Sequence, residues 1–400
     1  MKIALCSDIF LPHMGGIENV VKSLAEAYIK KGHEVIVFTS TMHRKDINDA
    51  LFPFTVIRTK AKRIIPGVYN TYPKKNKIFN DVFDKFGPDV VHSHTPFSIG
   101  MWGIQKAESI NIPSVLTTHT YLNYMNDTQV PFPRNSIIHK KIVKLLTIPP
   151  RKASIKATVL TAVSESAVRD EIEGAYRLYR DTRVIRNGFN ENSIKNDGAT
   201  YLDTNDKDKM ILFYAGQIDE TKNLKFSFKV CKILKERNIP FEFNLAGEVN
   251  KKFHFLFSKD DKQKYVELIK KLGIEQNINF LGRLMFQCLV SNYTRSDVFL
   301  FPSMYDTDGL VVKEANKCGT PALVIQNTGA SEQIKNGING YSLENNEKVF
   351  ADKIEELYHL KQSDYNKYLA LRESTKNNPI KNWDEIAEEY LDVYKKNYKV

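Results

Sequence analysis

The chain has 400 residues, 42% of them hydrophobic and 26% charged, with a formal net charge of +11. That length suits two or three domains, and the composition excludes long disorder, collagen-like repeats and a disulfide-built scaffold. No run of about 18 apolar residues is present to span a membrane. The four cysteines, Cys6, Cys231, Cys288 and Cys318, lie far apart without a CxxC, which reads as reduced thiols and no structural zinc site.

In chain order, residues 2–7 form an apolar run interrupted by Asp8. This reads as a first strand and not as a signal peptide, so a cytoplasmic location is expected. Residues 17–30 place Val20, Val21, Leu24 and Ala27 on one helical face, Gly32 ends the helix, and 33–39 is a buried strand. Further strands are expected at 89–92, 113–117 and 159–163. The polar stretch 190–209 has the composition of a linker. The pattern then restarts, with strands at 210–215, 241–246, 279–281, 298–301 and 322–325, and helices at 223–236, 262–272 and 310–317. Apolar strands joined by crossover helices predict an α/β fold of two Rossmann-like, doubly wound parallel sheets. The expected domains are 1–189 and 210–375, with a helix in 376–400 packing back on the first. Two such sheets facing each other would bind ligand at the carboxyl ends of their strands, in the cleft between them.

The positive charge is uneven. Residues 1–190 hold 27 Lys and Arg against 16 Asp and Glu, and the remainder holds 31 of each. Residues 50–80 and 128–164 each carry seven bases and no acid. In the second stretch Ile138, Ile142, Leu145 and Leu146 fall at helical spacing, with Lys140, Lys141 and Lys144 between them. That pattern suits an amphipathic helix on an anionic membrane surface, where each base adds about 1 kcal/mol. It also suits a helix packed on its own domain with a solvated basic face. No nucleic-acid-reading motif is visible, so nucleic acid is not an expected partner.

The segment 301–323, FPSMYDTDGLVVKEANKCGTPAL, carries the strongest chemical signal. A buried strand ends at Pro302, and a polar loop leads through Gly309 into a helix. Gly309 permits close backbone approach. The N–H groups of Leu310 and Val311 would face an anion at the helix start. Glu314 is placed to accept bonds from ribose hydroxyls, and Asp306 to hold a sugar hydroxyl. A capping carboxylate beside a glycine turn is the plainer reading of the same residues.

An acidic residue, seven positions and a Glu, after a Pro-Ser strand end and before an EA…CGTP stretch, resembles the GT-B fold retaining glycosyltransferases of family 4. The resemblance runs through nearly the whole chain, from the glycine loop and helix of 8–35 through DVVHSHTPF (89–97), IPSVLTTHT (112–120), TAVSESA (161–167), RVIRNGFN (183–190), YAGQIDETKN (214–223) and TGASEQIKNGINGY (328–341) to NWDEIAEEYL (382–391). It implies transfer of a sugar from a nucleotide-diphosphate donor, with no cofactor and no metal. It places Gly15 and Gly16 on the glycine loop, His119 near the transferred sugar and Lys222 on the diphosphate. Asp306 and Glu314 fall on the two acidic positions, and Gly309, Leu310 and Val311 on the phosphate-binding helix start. His119, Lys222 and Asp306 are the expected catalytic residues.

Two positions depart from the family pattern. Gln217 stands where Arg is usual, which removes a bidentate phosphate contact. Asp306 replaces the more common Glu. HSHTPFSIG (92–100) and THTYLNYM (118–125) resemble bacterial diacylglycerol glucosyltransferases, which implies UDP-glucose as donor and a lipid acceptor on the inner face of the cell membrane. Polysaccharide or lipid-linked oligosaccharide acceptors share the outline. A nucleotide-sugar epimerase of the same fold and a non-catalytic nucleotide-binding protein stay open as alternatives.

Overall fold

The computed structural model describes residues 1–12, 15–41, 48–65, 68–121, 136–173, 182–194, 208–248 and 261–397. It divides into two compact units, Met1–Gly188 with Lys381–Val400, and Phe189–Ile380. The helix Tyr365–Asn377 therefore lies whole in the second unit, where a boundary at 375 would cut it. Most of the expected linker, 195–207, lies outside the described residues.

The first unit contains β1 (Lys2–Cys6), α1 (Gly16–Lys30), β2 (Glu34–Ser40), β3 (Thr55–Thr59), a hairpin of β4 (Lys62–Ile65) and β5 (Val68–Asn70), α2 (Lys77–Phe86), β6 (Val90–Ser93), α3 (Ser98–Ser109), β7 (Ser114–Thr118), α4 (Ile137–Lys156), β8 (Val159–Ala162), α5 (Glu165–Glu173) and β9 (Thr182–Val184). Its sheet is parallel, in the order β3-β2-β1-β6-β7-β8-β9. The second unit contains β10 (Met210–Ala215), α6 (Leu224–Glu236), β11 (Phe241–Ala246), α7 (Asp261–Leu272), β12 (Ile278–Gly282), α8 (Phe286–Arg295), β13 (Val298–Phe301), α9 (Leu310–Lys317), β14 (Ala322–Ile325), β15 (Gly340–Leu343), α10 (Glu347–Ser363) and α11 (Tyr365–Asn377). Its parallel sheet runs β12-β11-β10-β13-β14-β15. α12 (Trp383–Asn397) closes the chain and belongs to the first unit.

The central strands are buried on both faces, which is why they read as unbroken apolar runs. The strands absent from the sequence reading are the hairpin β4 and β5 and, in the two parallel sheets, β3, β9 and β15, which are edges with half-buried residues and weak patterns. In each unit the strand order reverses once, between β1 and β6 and between β10 and β13. Open α/β sheets bind ligands outside the carboxyl ends of the strands at such a reversal.

α12 lies against α1. Ile386, Tyr390 and Tyr394 join Val20, Leu24 and Tyr28 in one buried cluster with Ile3 and Leu5. Lys30 pairs with Asp384, and Lys31 with Glu388, at the rim of that contact.

Candidate functional site

In the second unit, the loops after β10 and β13 meet through charged side chains. A 3-10 turn, Glu220–Lys222, follows β10 and is capped by Asp219, whose carboxylate accepts from the Thr221 N–H at 2.9 Å. The turn delivers the Lys222 Nζ to Asp306 Oδ2 at 2.9 Å. Asp306 Oδ1 accepts from the Gly309 N–H at 2.6 Å. Burial opposes the charge on Asp306. The Lys222 ammonium and the N–H groups of Gly309 and Asp308 outweigh that and hold its pKa below the ordinary carboxylate value. Burial also works against Lys222, but the Asp306 carboxylate raises its pKa above the ordinary lysine value. Both groups therefore stay charged at neutral pH.

Gly309, at φ 68°, takes the left-handed conformation that turns the loop into α9. The first-turn N–H groups of Leu310 and Val311 have no acceptor within the helix, as at any helix start. A buried ion pair, Lys313 Nζ to Asp308 Oδ2 at 2.7 Å, ties the helix to its own loop, with side chains only 4% and 3% exposed. Gln333 Nε2 donates to the carbonyls of Asp308 and Gly309. Gly329 passes so close to Thr307 that a Cβ would sit 2.0 Å from its carbonyl oxygen. The loop is thus fixed from three sides. Sequence reasoning passed over Asp308, Lys313 and Gln333. The one available signal was a lysine on the inner side of a helix otherwise built of Val312, Ala315 and Asn316.

Glu314, half-buried on α9, accepts a hydrogen bond from the Tyr293 hydroxyl at 2.9 Å. Burial pushes its pKa up to about 7, and the Tyr293 bond only partly opposes this. Gln217 is exposed in the turn after β10, and its carbonyl accepts from the Tyr214 hydroxyl at 2.7 Å.

The first unit carries the other candidates. Gly15 is the extended residue before α1, and a Cβ there would meet the buried Glu18 carboxylate at 2.5 Å, whereas Gly16 faces open space. His94 follows β6 and His119 follows β7. Their rings meet through His94 Nδ1 and His119 Nε2 at 3.0 Å. Burial pushes His119 down to about 4 and holds His92 and His94 well below the ordinary histidine value. All three are therefore neutral at physiological pH. Asp8, at the end of β1, accepts from the Thr95 hydroxyl at 2.6 Å and the Ile99 N–H at 2.9 Å, which fixes the loop between β6 and α3. Sequence reasoning quoted Asp8, His92 and His94 without assigning them roles.

In α4, Lys140, Lys141 and Lys144 are exposed, as are Ile137 at 72% and Ile138 at 55%. Ile142 is half-buried and His139 is buried. The side chains of Leu145 and Leu146 lie outside the described residues. Among the described residues no helix is long and apolar enough to cross a membrane, and no group of three or more His, Cys, Asp or Glu is placed to hold a metal ion.

Residues 14–193 match the family described as Glycosyltransferase Family 4, and residues 203–378 match Glycosyl transferases group 1. The alpha-monoglucosyldiacylglycerol synthase of Acholeplasma laidlawii is 27% identical over 387 residues, covering 91% of this chain and 89% of that protein. Among solved structures, sucrose-phosphate synthase from Thermosynechococcus elongatus aligns with a TM-score of 0.74 at 19% identity, over 99% of this chain and 98% of the other. HepE from Anabaena, in complex with UDP and glucose, aligns with a TM-score of 0.71 at 15% identity, over 98% and 99%. Both structural likenesses establish a shared GT-B fold.

Proposed function

The chain belongs to the group 1, family 4 glycosyltransferases of GT-B fold, and from that premise we propose that it transfers glucose from UDP-glucose to a diacylglycerol-type lipid at an anionic membrane surface. The observation that carries the reading is the Lys222–Asp306–Gly309 assembly at the strand-order reversal of the second unit. It sets a fixed ammonium group beside the start of a helix whose loop is locked. That is a preorganised cradle for an anion, and a nucleotide diphosphate is the anion this family's reaction requires.

In the proposed step the bond between the anomeric carbon and the diphosphate oxygen breaks, and the acceptor oxygen bonds to the same carbon. Charge grows on the leaving diphosphate. Lys222 and the N–H groups of Leu310 and Val311 stabilise it, supplying the positive charge that a divalent ion would otherwise bring. The acceptor proton passes to the departing diphosphate oxygen as the acceptor attacks from the leaving-group face, so the anomeric configuration is retained. Glu314 holds the ribose hydroxyls. Burial favours its neutral form, in which it can donate as well as accept. His119, neutral, meets the sugar through hydrogen bonds and not as a cation.

The acceptor assignment draws on two supports. The Acholeplasma relative is named for a glucosyldiacylglycerol product, and α4 presents three lysines beside exposed isoleucines. The test is label transfer. Protein, labelled donor and dioleoylglycerol in anionic vesicles are incubated with UDP-glucose, UDP-galactose, UDP-GlcNAc or GDP-mannose in turn, with and without EDTA. The reading expects organic-phase label from UDP-glucose, EDTA-insensitive, with an α-anomeric product by NMR. Label that stays in the aqueous phase on a soluble glycan would replace the lipid acceptor. Free rearranged sugar would point to an epimerase.

A further inference from the structure

His94 is set more firmly than a structural histidine needs to be. Its ring packs against that of His92, with centroids 4.0 Å apart and the planes tilted by 34°. His92 is held at both nitrogens, by the Tyr394 hydroxyl at 2.6 Å and the Thr117 hydroxyl at 2.6 Å. Tyr394 is in turn held by Tyr28 at 2.8 Å, and Thr117 by Thr161 at 2.6 Å. α12 thus clamps the platform on which His94 lies.

One nitrogen of His94 is spent on His119. The other, Nε2, is buried and has no hydrogen-bond partner among the described residues, in a side chain that is 1% exposed. Orphaned buried polar atoms are rare and costly, and each calls for an explanation. A small cavity of about 30 Å³ lies beside it, lined by Ile17, His94, Phe97, His119 and Thr120 among others. That space holds one water-sized group.

The proton count narrows what fills it. One proton is shared between His94 Nδ1 and His119 Nε2. If His119 donates it, His94 Nε2 carries its own hydrogen. If His94 donates it, Nε2 is a bare acceptor. A hydroxyl satisfies either tautomer, because it both donates and accepts. A carboxylate or an ammonium satisfies only one.

We infer that His94 is a substrate-contacting residue, its Nε2 bonded to a sugar hydroxyl that occupies this cavity beside His119. The inference rests on the glycosyl-transfer reading above and adds a contact to it.

The experiment compares kcat/KM for wild type, His94→Phe, His119→Ala and the double variant, with thermal unfolding to verify the fold. His94→Phe keeps an aromatic ring against His92 and removes both nitrogens. It is expected to lose about tenfold, the size of one good hydrogen bond in a closed site. The same loss is expected in the His119→Ala background, because the contact is direct. His94→Asn, which restores a polar group, should recover part of it. If His94→Phe does not fold, His94→Ala takes its place with the same expectations. An unchanged kcat/KM, or a loss that disappears once His119 is gone, overturns the inference, the second result showing that His94 acts only through its neighbour. A wild type that transfers no sugar from any of the four donors overturns the transfer reading itself, and the inference with it.

Discussion

In the second unit Asp306 and Lys222 are both half-buried and both stay charged, because each offsets the other's desolvation. In the first unit His92 and His94 are buried and His119 is half-buried; His92 bonds to hydroxyls, His94 bonds to His119, and all three lose their charge. Paired burial preserves charge, and burial among neutral dipoles removes it. The first arrangement suits a polyanion such as a diphosphate. The second suits neutral hydroxyls, which a charged imidazolium would orient differently.

Four experiments test this contrast and the site around it. The largest effect is expected from Lys222→Ala, which leaves the half-buried Asp306 without this partner and removes the cradle's cation. Turnover of the donor should fall by roughly 100- to 1,000-fold, in the range of losing one preorganised donor to transition-state charge. Steady-state nucleotide release reads it, and a rate within a few-fold of wild type would break the charged half of the comparison.

Next in size is the basic face of α4. Replacing Lys140, Lys141 and Lys144 together with Glu should lower partition onto anionic vesicles by at least about 100-fold, at about 1 kcal/mol per base. Binding by the unaltered protein should weaken steeply as salt rises. Equal sedimentation of the two proteins would mean that this face is only a solvated surface.

Gln217→Arg restores a charged, bidentate group beside the Lys222 turn. Donor affinity should improve by about tenfold, the lower end for a hydrogen bond to a charged group. Calorimetric titration with UDP measures it. An unchanged affinity would show that the exposed position does not reach the donor.

The smallest effect is a pair of opposite pH slopes. Glu314 has a folded pKa of about 7, above its ordinary 4.5. The folded state holds that proton more tightly, so stability declines as pH rises from about 4.5 through 7. His119 has a folded pKa of about 4, below its ordinary 6.5. Its contribution is present above 6.5 and is lost as pH falls toward 4. Glu314→Gln should therefore raise Tm relative to wild type more at pH 8 than at pH 5, and His119→Gln should soften the acid limb. Tm offsets that do not change with pH would contradict both assignments.

The two sheets were legible in the sequence because their central strands are apolar on both faces and their crossover helices keep period. β10, β11, β13, β14 and α9 fall on the residues that pattern indicates. The edge strands were not, since Thr55–Thr59 and Gly340–Leu343 are short and only partly covered. Of the site, periodicity located the loop and helix start around Gly309. Lys222 and Asp306 stand 84 residues apart, and no spacing rule joins them; the loop sequence pointed to Asp306, and only the family resemblance named Lys222. Nothing local in the sequence reveals the Asp308–Lys313 pair as buried, or the clamp of Tyr394 on His92 from 302 residues away. Such contacts are set by tertiary packing.

Transfer to a lipid requires that nucleotide release from UDP-glucose depend on a lipid acceptor. The measurement is UDP released by the wild-type protein, with anionic vesicles that either contain or lack diacylglycerol. Release is expected only when diacylglycerol is present. Equal release from both vesicles, or none from either, would contradict it.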